Sequence, residues 1–479
     1  MKIKPALILL LLTAGALLLH GYHPWIEDAE IYLPGVEKLL NPALFPFNAQ
    51  FFESHAHLTL FPDLMAASVR WSHLRLETVL FVWQIVSMFL LLLGAWELSG
   101  RCFTSLRARW AGVALLAALF TLPVAGTGLY LMDQYINPRN LTAFGALFAV
   151  SSVLDKKYLR AAVFLIWPMA IHPLMPLFVV SFCVLLALLQ RWQIGRDWWA
   201  VLLVPVFLHS SAAYHQAALT RHDYYLTRWS WYEWLGALGP IVILWWFSRI
   251  ARSRGMRNLD LLCRALVAYE VVCIPLALIV SIPPSFESLA RVQPMRSLHL
   301  AYMLFVLIAG GLLGEFVLKE RWLRWAALFL PLCVGMFTAQ RALFPASAHV
   351  EWPWEAPRNP WVQAFLWIRS NTPTDARFAL DPYHMHIDGE DENGFRAVAQ
   401  RSMLADAVKD SGAVTMFPAN AEEWLRQVQA QKDWKDFQIQ DFRNLQSAYG
   451  INWVVLQLPG RAGLSCPYQN QAVMVCRVE

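Results

Sequence analysis

The chain has 479 residues, 57% of them hydrophobic, with 23 Trp, 28 Phe and a formal net charge of +5. That apolar share exceeds the roughly 45–50% of an ordinary soluble domain, and repeated apolar runs of about 20 residues read as membrane spans rather than core helices. The positive charge does not point to nucleic acid, because Lys and Arg cluster in short loops between alternate spans, the positive-inside signature.

Met1-Lys2-Ile3-Lys4 followed by Pro5 to Leu19 reads as a first span with its basic end inside. A cleaved signal peptide competes, because the apolar core is short. No clear small-x-small cleavage site precedes Tyr22, so a retained helix is the favoured reading. A polar stretch, 21–77, follows on the outer side. Thr78 to Leu98 returns to a basic loop with Arg101, Arg107 and Arg109. Trp110 to about Ala125 goes out, and Leu141 to Leu154 comes back to Lys156, Lys157 and Arg160. The run Ala161 to Gln190 is interrupted at His172-Pro173 and Pro176. It reads as two short spans meeting at an outer turn, since proline breaks the helical ladder.

Arg191 and Arg196 then lie inside, Trp198 to about Ser211 goes out, and Leu235 to Phe247 returns to Arg249, Arg252, Arg254 and Arg257. Leu259 to Ile282 goes out and Leu298 to Leu318 returns to Lys319, Arg321 and Arg324, before Trp325 to about Leu343 exits. The count is roughly eleven spans, with the N-terminus inside and the C-terminus outside.

From Phe344 onward the composition is that of a soluble protein, behind a Trp352-Pro353-Trp354 interfacial anchor. Helices are expected over Asn359 to Asn371, Phe395 to Lys409 and Glu422 to Gln429. Strands are expected over Arg377 to Leu380, Ile451 to Leu458 and Ala472 to Val478. The predicted fold is therefore mainly α. A polytopic helical membrane domain of about 11 transmembrane helices covers 1–343 with a long first outer loop (21–77), and a small α/β extracytoplasmic domain covers 344–479. No CxxC pair occurs among the seven cysteines, which argues against zinc or thioredoxin-like sites. If the C-terminal region is extracytoplasmic, Cys466 and Cys476 suit a disulfide across a hairpin, which the loop length permits without demanding.

Chemistry concentrates in Gly21-Tyr22-His23-Pro24-Trp25-Ile26-Glu27-Asp28-Ala29-Glu30. In an extended loop Asp28 and Glu30 point to one side, an arrangement that suits a divalent cation. Asp28 alone suits a general base, and solvated loop carboxylates are the plain alternative. Glu53, His55 and His57 repeat the spacing without a third fixed ligand, and read as surface groups. His384, His386 and Asp388, beside Glu390, Asp391 and Glu392, read as a flexible acidic loop. Polar groups at outer span ends, Arg139, His172, Arg291, Gln293 and Arg296, are substrate-binding candidates. Arg suits a bidentate grip on phosphate, with interfacial anchoring, or capping of the turn for His172, as the alternative. The aromatic loop Arg221 to Trp234 reads first as an aromatic belt.

Taken together, the layout resembles the GT-C superfamily of membrane glycosyltransferases, and more closely bacterial multi-pass proteins of that kind. The resemblance rests on His23 to Pro34, Asn41-Pro42-Ala43-Leu44-Phe45-Pro46, Asn137-Pro138-Arg139, His172-Pro173 and Gln293-Pro294-Met295-Arg296-Ser297. In the C-terminal region it rests on Asn371 to Ala376 and Arg396 to Ser402. It implies transfer of a sugar from a polyprenyl-phosphate carrier to an extracytoplasmic glycan, lipid or protein acceptor, at a bacterial inner membrane. Asp28 would be base or metal ligand, Glu30 would assist it or share a cation, and Arg291 or Arg296 would contact the lipid phosphate. A divalent cation at Asp28 and Glu30 is the one cofactor candidate; membrane lipid is a partner and nucleic acid is not. A transporter or flippase, or a non-catalytic assembly protein for cell-envelope glycans, is the alternative. A transporter would place ionisable residues inside spans, where Glu97 and Glu270 are the clearest.

Overall fold

In the computed structural model, residues 4–191, 211–281, 284–460 and 463–478 are described. The chain divides into two compact units. The first comprises Met1–His20, Trp83–Ser210 and His222–Thr338, and the second Gly21–Val82, Ser211–Arg221 and Ala339–Glu479.

Among the described residues six helices are long and apolar enough to cross a membrane: Leu76–Cys102, Leu174–Arg191, Trp231–Ser253, Arg257–Ser281, Leu289–Leu318 and Trp322–Leu343. Pro5–His20, Asn140–Leu154 and Tyr158–Ile171 are apolar but shorter, and the run from Trp110 gives a helix, Leu106–Ala118, that ends before Ala125. The span expected over Trp198 to about Ser211 lies outside the described residues. Six rather than about eleven is therefore the number of crossing-length helices described. Apolar runs that each look like a span lack the roughly 20 helical residues a straight crossing needs.

The loops that carry the basic residues meet at one end of the first unit. Arg101 pairs with Glu97 at 2.9 Å and Asp155 at 3.0 Å, and Arg160 with Glu97 at 2.8 Å. Arg107 pairs with Glu320 at 2.8 Å, and the Asn258 amide donates to the Arg101 carbonyl at 3.0 Å. Glu97 is thus a loop-end partner of arginines. Glu270 lies deeper, buried beside Ser297, whose hydroxyl donates to it at 2.9 Å. At the other end, Gln293 donates to the Tyr224 hydroxyl at 2.9 Å, and His299 meets the Leu131 carbonyl at 3.2 Å.

Between these ends, Leu106–Ala118 and Ser297–Leu313 approach through small residues. A Cβ on Gly310 would lie 2.7 Å from the Ala111 carbonyl oxygen and 2.8 Å from the Gly112 Cα, and one on Gly112 would lie 2.6 Å from the Leu307 carbonyl oxygen. Such close backbone contact is how helices associate where lipid removes the hydrophobic drive. The last helix, Trp322–Leu343, is the opposite case. Only 6% of its apolar window is buried by protein, and Leu323, Leu330 and Val334 point outward, as a lipid-facing helix requires.

In the second unit the stretch expected as an outer loop folds into three helices, Ala29–Leu40, Gln50–Ala56 and Phe61–Ser72. Pro34 sits inside the first of these, where its ring removes one backbone donor without ending the helix. The unit also contains a five-stranded sheet of β1 (Arg377–Ala379), β2 (Ser402–Met403), β3 (Trp453–Gln457), β4 (Ser465–Gln469) and β5 (Val473–Arg477). The order is β2-β1-β3-β5-β4, with β1 parallel to β2 and β3, and β5 antiparallel to β3 and β4. β3 and β5 bury Val454, Val455, Val473 and Val475, as their Val-rich runs suggest. Cys466 and Cys476 form a disulfide between β4 and β5.

The helix expected over Phe395 to Lys409 is instead Phe395–Ala399, then β2, then a helix Lys409–Met416. Gln400 turns left-handed at φ +54°, ending the first piece. The Asp406 carboxylate starts the second by accepting the backbone N–H groups of Val408 at 2.7 Å and Lys409 at 2.5 Å.

Gly310→Ala adds a methyl against backbone that must move, a change that costs about 1–3 kcal/mol in a packed interior. It is expected to lower the melting temperature of the purified protein. Gly335→Ala, where a Cβ meets nothing within 4 Å, is expected to leave it unchanged; differential scanning fluorimetry on both variants checks the contrast.

Candidate active site

The stretch Gly21–Asp28 is held by backbone bridges on both sides. The Tyr22 N–H donates to the His349 carbonyl at 3.0 Å, and the Glu351 N–H to the Tyr22 carbonyl at 2.9 Å. Further along, the Glu27 N–H donates to Glu392 at 2.9 Å, and the Gly394 N–H to Trp25 at 2.8 Å. Gly21 itself adopts φ +84°, and a Cβ there would lie 2.4 Å from the His349 carbonyl oxygen, so the tight entry needs glycine.

Helix Ala29–Leu40 begins immediately afterwards, and its start decides the fate of the three carboxylates. Asp28 occupies the N-cap with helical dihedrals and does not cap with its side chain. The Asp28 side chain is 24% exposed, with the Lys409 ammonium 3.5 Å from its Oδ1. Glu27, more exposed, contacts the same ammonium. Burial pulls the Lys409 ammonium down to about 7, a direction its contacts with Glu27 and Asp28 oppose.

Glu30 points the other way, at 0% exposure. Its Oε1 lies 3.2 Å from the Arg396 guanidinium, and its Oε2 accepts the Ala397 N–H at 3.2 Å. Arg396 also pairs with Asp410 at 2.7 Å and lies 3.8 Å from Asp406. One buried guanidinium therefore faces three buried carboxylates. Burial pushes the Glu30 carboxyl up to about 8, against the pull of Arg396 and with repulsion from Asp406 and Asp410 adding to it. Burial likewise pushes Asp410 up to about 6, opposed first by Arg396. Gly394 makes the approach possible, since a Cβ there would lie 2.5 Å from the Glu30 Oε2.

This arrangement corrects the pairing of Asp28 with Glu30. The residues stand at a helix start, not in an extended loop, and two helical positions differ by about 200° around the axis. The donors do not fit a divalent cation, because Asp28 already faces an ammonium and Glu30 a guanidinium. Among the described residues no group of three or more His, Cys, Asp or Glu side chains is placed to hold a metal. Glu53 lies in the helix Gln50–Ala56 and pairs with Lys38 at 2.7 Å, while the His55 ring packs on Phe417. The segment expected as a flexible acidic loop is largely buried. Asp391 accepts the Ala346 and Ser347 N–H groups at 3.0 and 2.7 Å, Glu390 accepts that of Asn393 at 2.9 Å, and His384 is enclosed.

The remaining candidates belong to the first unit. Arg139 is buried against Asp133 at 3.1 Å, beside Asn137, which donates to the same carboxylate at 2.6 Å. His172 ends helix Tyr158–Ile171, and its Nδ1 accepts the Met175 N–H at 3.3 Å, the capping role. Arg291 is half-buried. Gln293 turns left-handed at φ +51° and is buried against Tyr224. Arg296 is half-buried and, with His299, lines a cleft of about 20 Å³, room for one water. Gln293 and Arg296 come from one short turn, Pro294–Arg296 and its N-cap, that leads into helix Ser297–Leu313.

Sequence reasoning missed Lys409 and the role of Arg396. The available signal was a charged residue inside an apolar run, Phe395-Arg396-Ala397-Val398-Ala399, in a region of soluble composition. Such a residue is rarely enclosed without an opposite charge.

No family model matches the chain, and no curated protein does. Among solved structures, it is similar to the crystal structure of the Archaeoglobus fulgidus oligosaccharyltransferase in complex with zinc and sulfate. The similarity covers 95% of this chain and 68% of that one, at 13% identity and a TM-score of 0.44.

The Glu30 carboxyl sets a pH dependence. The folded chain keeps its proton up to about 8, whereas an unfolded Glu loses it near 4.3. Stability from this group is therefore complete below the unfolded value and falls as pH rises through the folded one. Thermal unfolding of Glu30→Gln between pH 5 and 9 is expected to show a flatter decline than the parent chain.

Proposed function

We propose that the chain is a membrane glycosyltransferase of GT-C type, moving a sugar from a polyprenyl-phosphate carrier to an extracytoplasmic acceptor, with Asp28 as general base. The observation that carries this reading is the contrast among the three carboxylates. Glu30 is sealed against Arg396, while Asp28 remains accessible and is not engaged as a helix cap. In the transfer, Asp28 takes the proton of an acceptor hydroxyl, the oxygen attacks the anomeric carbon, and the phosphate departs with the bonding electrons. Glu30 then acts as a positioning residue through the start of its helix. For the carrier phosphate the candidates are Arg291 and the following turn that holds Gln293 and Arg296, since a guanidinium suits the charge of the leaving group. In this reading Arg139 and His172 support the ends of their helices.

The orientation is supported by the composition of the second unit. Its three segments, Gly21–Val82, Ser211–Arg221 and Ala339–Glu479, overlap the stretches that the positive-inside pattern assigns to the outer side. We therefore assign the N-terminus to the cytoplasm and the second unit to the extracytoplasmic side of a bacterial inner membrane.

Membranes carrying Asp28→Asn and supplied with a polyprenyl-phosphate-linked sugar are expected to lose transfer by about 10²–10⁴-fold, the usual contribution of a positioned base. Undiminished transfer at an equal protein level would remove Asp28 from the mechanism.

A further inference from the structure

The second unit contains a cavity of about 620 Å³ that Asp28 does not line, within the roughly 300–1,000 Å³ of small-molecule sites. Three buried polar side chains in its wall have atoms without a hydrogen-bond partner: the Tyr22 hydroxyl, Glu37 Oε2 and both Glu351 carboxylate oxygens. The other Glu37 oxygen accepts from Gln400 at 3.0 Å, and His23 stands 3.7 Å from Glu351. Buried polar atoms left unpaired are costly. Four such atoms on three side chains around one cavity suit a ligand that brings hydroxyl groups to them.

The electrostatics of the wall narrow the class. Glu77 is matched by Arg369 at 3.3 Å, and Glu351 and Glu355 are balanced in number by Arg75 and Arg358. Burial pushes the Glu37 carboxyl well above the ordinary range, a direction that favours the protonated form, which can both donate and accept. The wall thus has no charge excess to attract a phosphate or a polyamine. It does contribute two indoles, Trp25 and Trp352, the second stacked on Trp354 at 5.2 Å. A sugar ring presents both an apolar C–H face for an indole and hydroxyls for mixed donors and acceptors.

We propose that this cavity binds a neutral saccharide, at a site separate from the Asp28 carboxylate. The proposal goes beyond the transfer reaction and does not rest on it, because binding is measured without a sugar donor.

The test uses the full chain in nanodiscs free of glycoside detergent, titrated calorimetrically with maltose, cellobiose and N,N′-diacetylchitobiose. A second arm uses the same disaccharides on alkyl chains inserted in the bilayer. Saturable binding is expected for at least one disaccharide. Tyr22→Phe keeps the ring that packs edge-on against Phe81 and removes only the hydroxyl; it and Glu351→Gln are each expected to weaken binding about tenfold, the loss of one buried hydrogen bond. Trp352→Ala, which also removes the ring's packing on Phe81 and Trp354, is expected to weaken it as well, and the melting temperature of each variant is measured beside its affinity to separate binding from folding. Binding of the alkyl-linked form alone, lost in the same variants, identifies a lipid-borne glycan and supports the proposal. Absence of binding in both arms would overturn it. So would affinity unchanged in all three variants, or preferential binding of inorganic phosphate or putrescine.

Discussion

The second unit depends on one buried cation. Arg396 meets Glu30 from the helix that follows the first apolar segment, and Asp406 and Asp410 from the segment after β2. Enclosing the guanidinium and its ionised partners costs several kcal/mol per ion, while Glu30, protonated up to about 8, meets the guanidinium as a neutral carboxyl. The cluster therefore confers specificity more than strength: the docking of helix Ala29–Leu40 is the one that brings the Glu30 carboxyl to the guanidinium. Neutral contacts follow the same docking. Asn48 donates to Gln427 at 2.7 Å and to the Met403 carbonyl at 2.9 Å, and the Phe47 N–H donates to Ser402 at 3.2 Å.

Once that helix is fixed, the exposure of its neighbours is fixed as well. Glu30, Leu33 and Glu37 form one buried stripe, as residues three and four apart must, and Asp28 falls on the other side. A run of four residues thus contains a structural carboxylate and an accessible one, separated by the helical twist alone. Lys409 stands close to both outward carboxylates. It ties the candidate base to the same C-terminal segment whose Asp410 holds Arg396.

The alternation of basic loops was the most legible feature of the sequence. Arg101, Arg107, Arg160 and Asn258 gather at one end of the first unit, as the charge pattern requires, while the number of crossing-length helices did not follow from apolar runs alone. β3 and β5 were visible because short Val-rich runs bounded by turns, Val454-Val455 and Val473-Met474-Val475, have few other readings. β2 was not, since two residues carry no period, and Arg396 to Lys409 reads as helix until Gln400 turns left-handed. In the candidate site, Asp28 stood out by composition. What could not be read was that Glu30 faces inward, because its partner lies 366 residues away and no local pattern encodes such a pairing. The stretch 21–77 looked like a loop for a related reason: Pro34, Pro46 and Pro62 suggest breaks, and the tertiary contacts that stabilise its helices come from the far end of the chain.

The second unit is assembled from three separated segments, and this has a consequence for biogenesis. Glu30 and Glu37 leave the ribosome long before Arg396 and Gln400 exist. During that interval the first segment lacks the Arg396 and Gln400 groups that Glu30 and Glu37 meet in the folded unit. The closing step spans most of the chain, and contacts of such sequence separation form slowly. Docking of the first segment is therefore a late event, possible only once the chain has been made through Arg396 and Asp410.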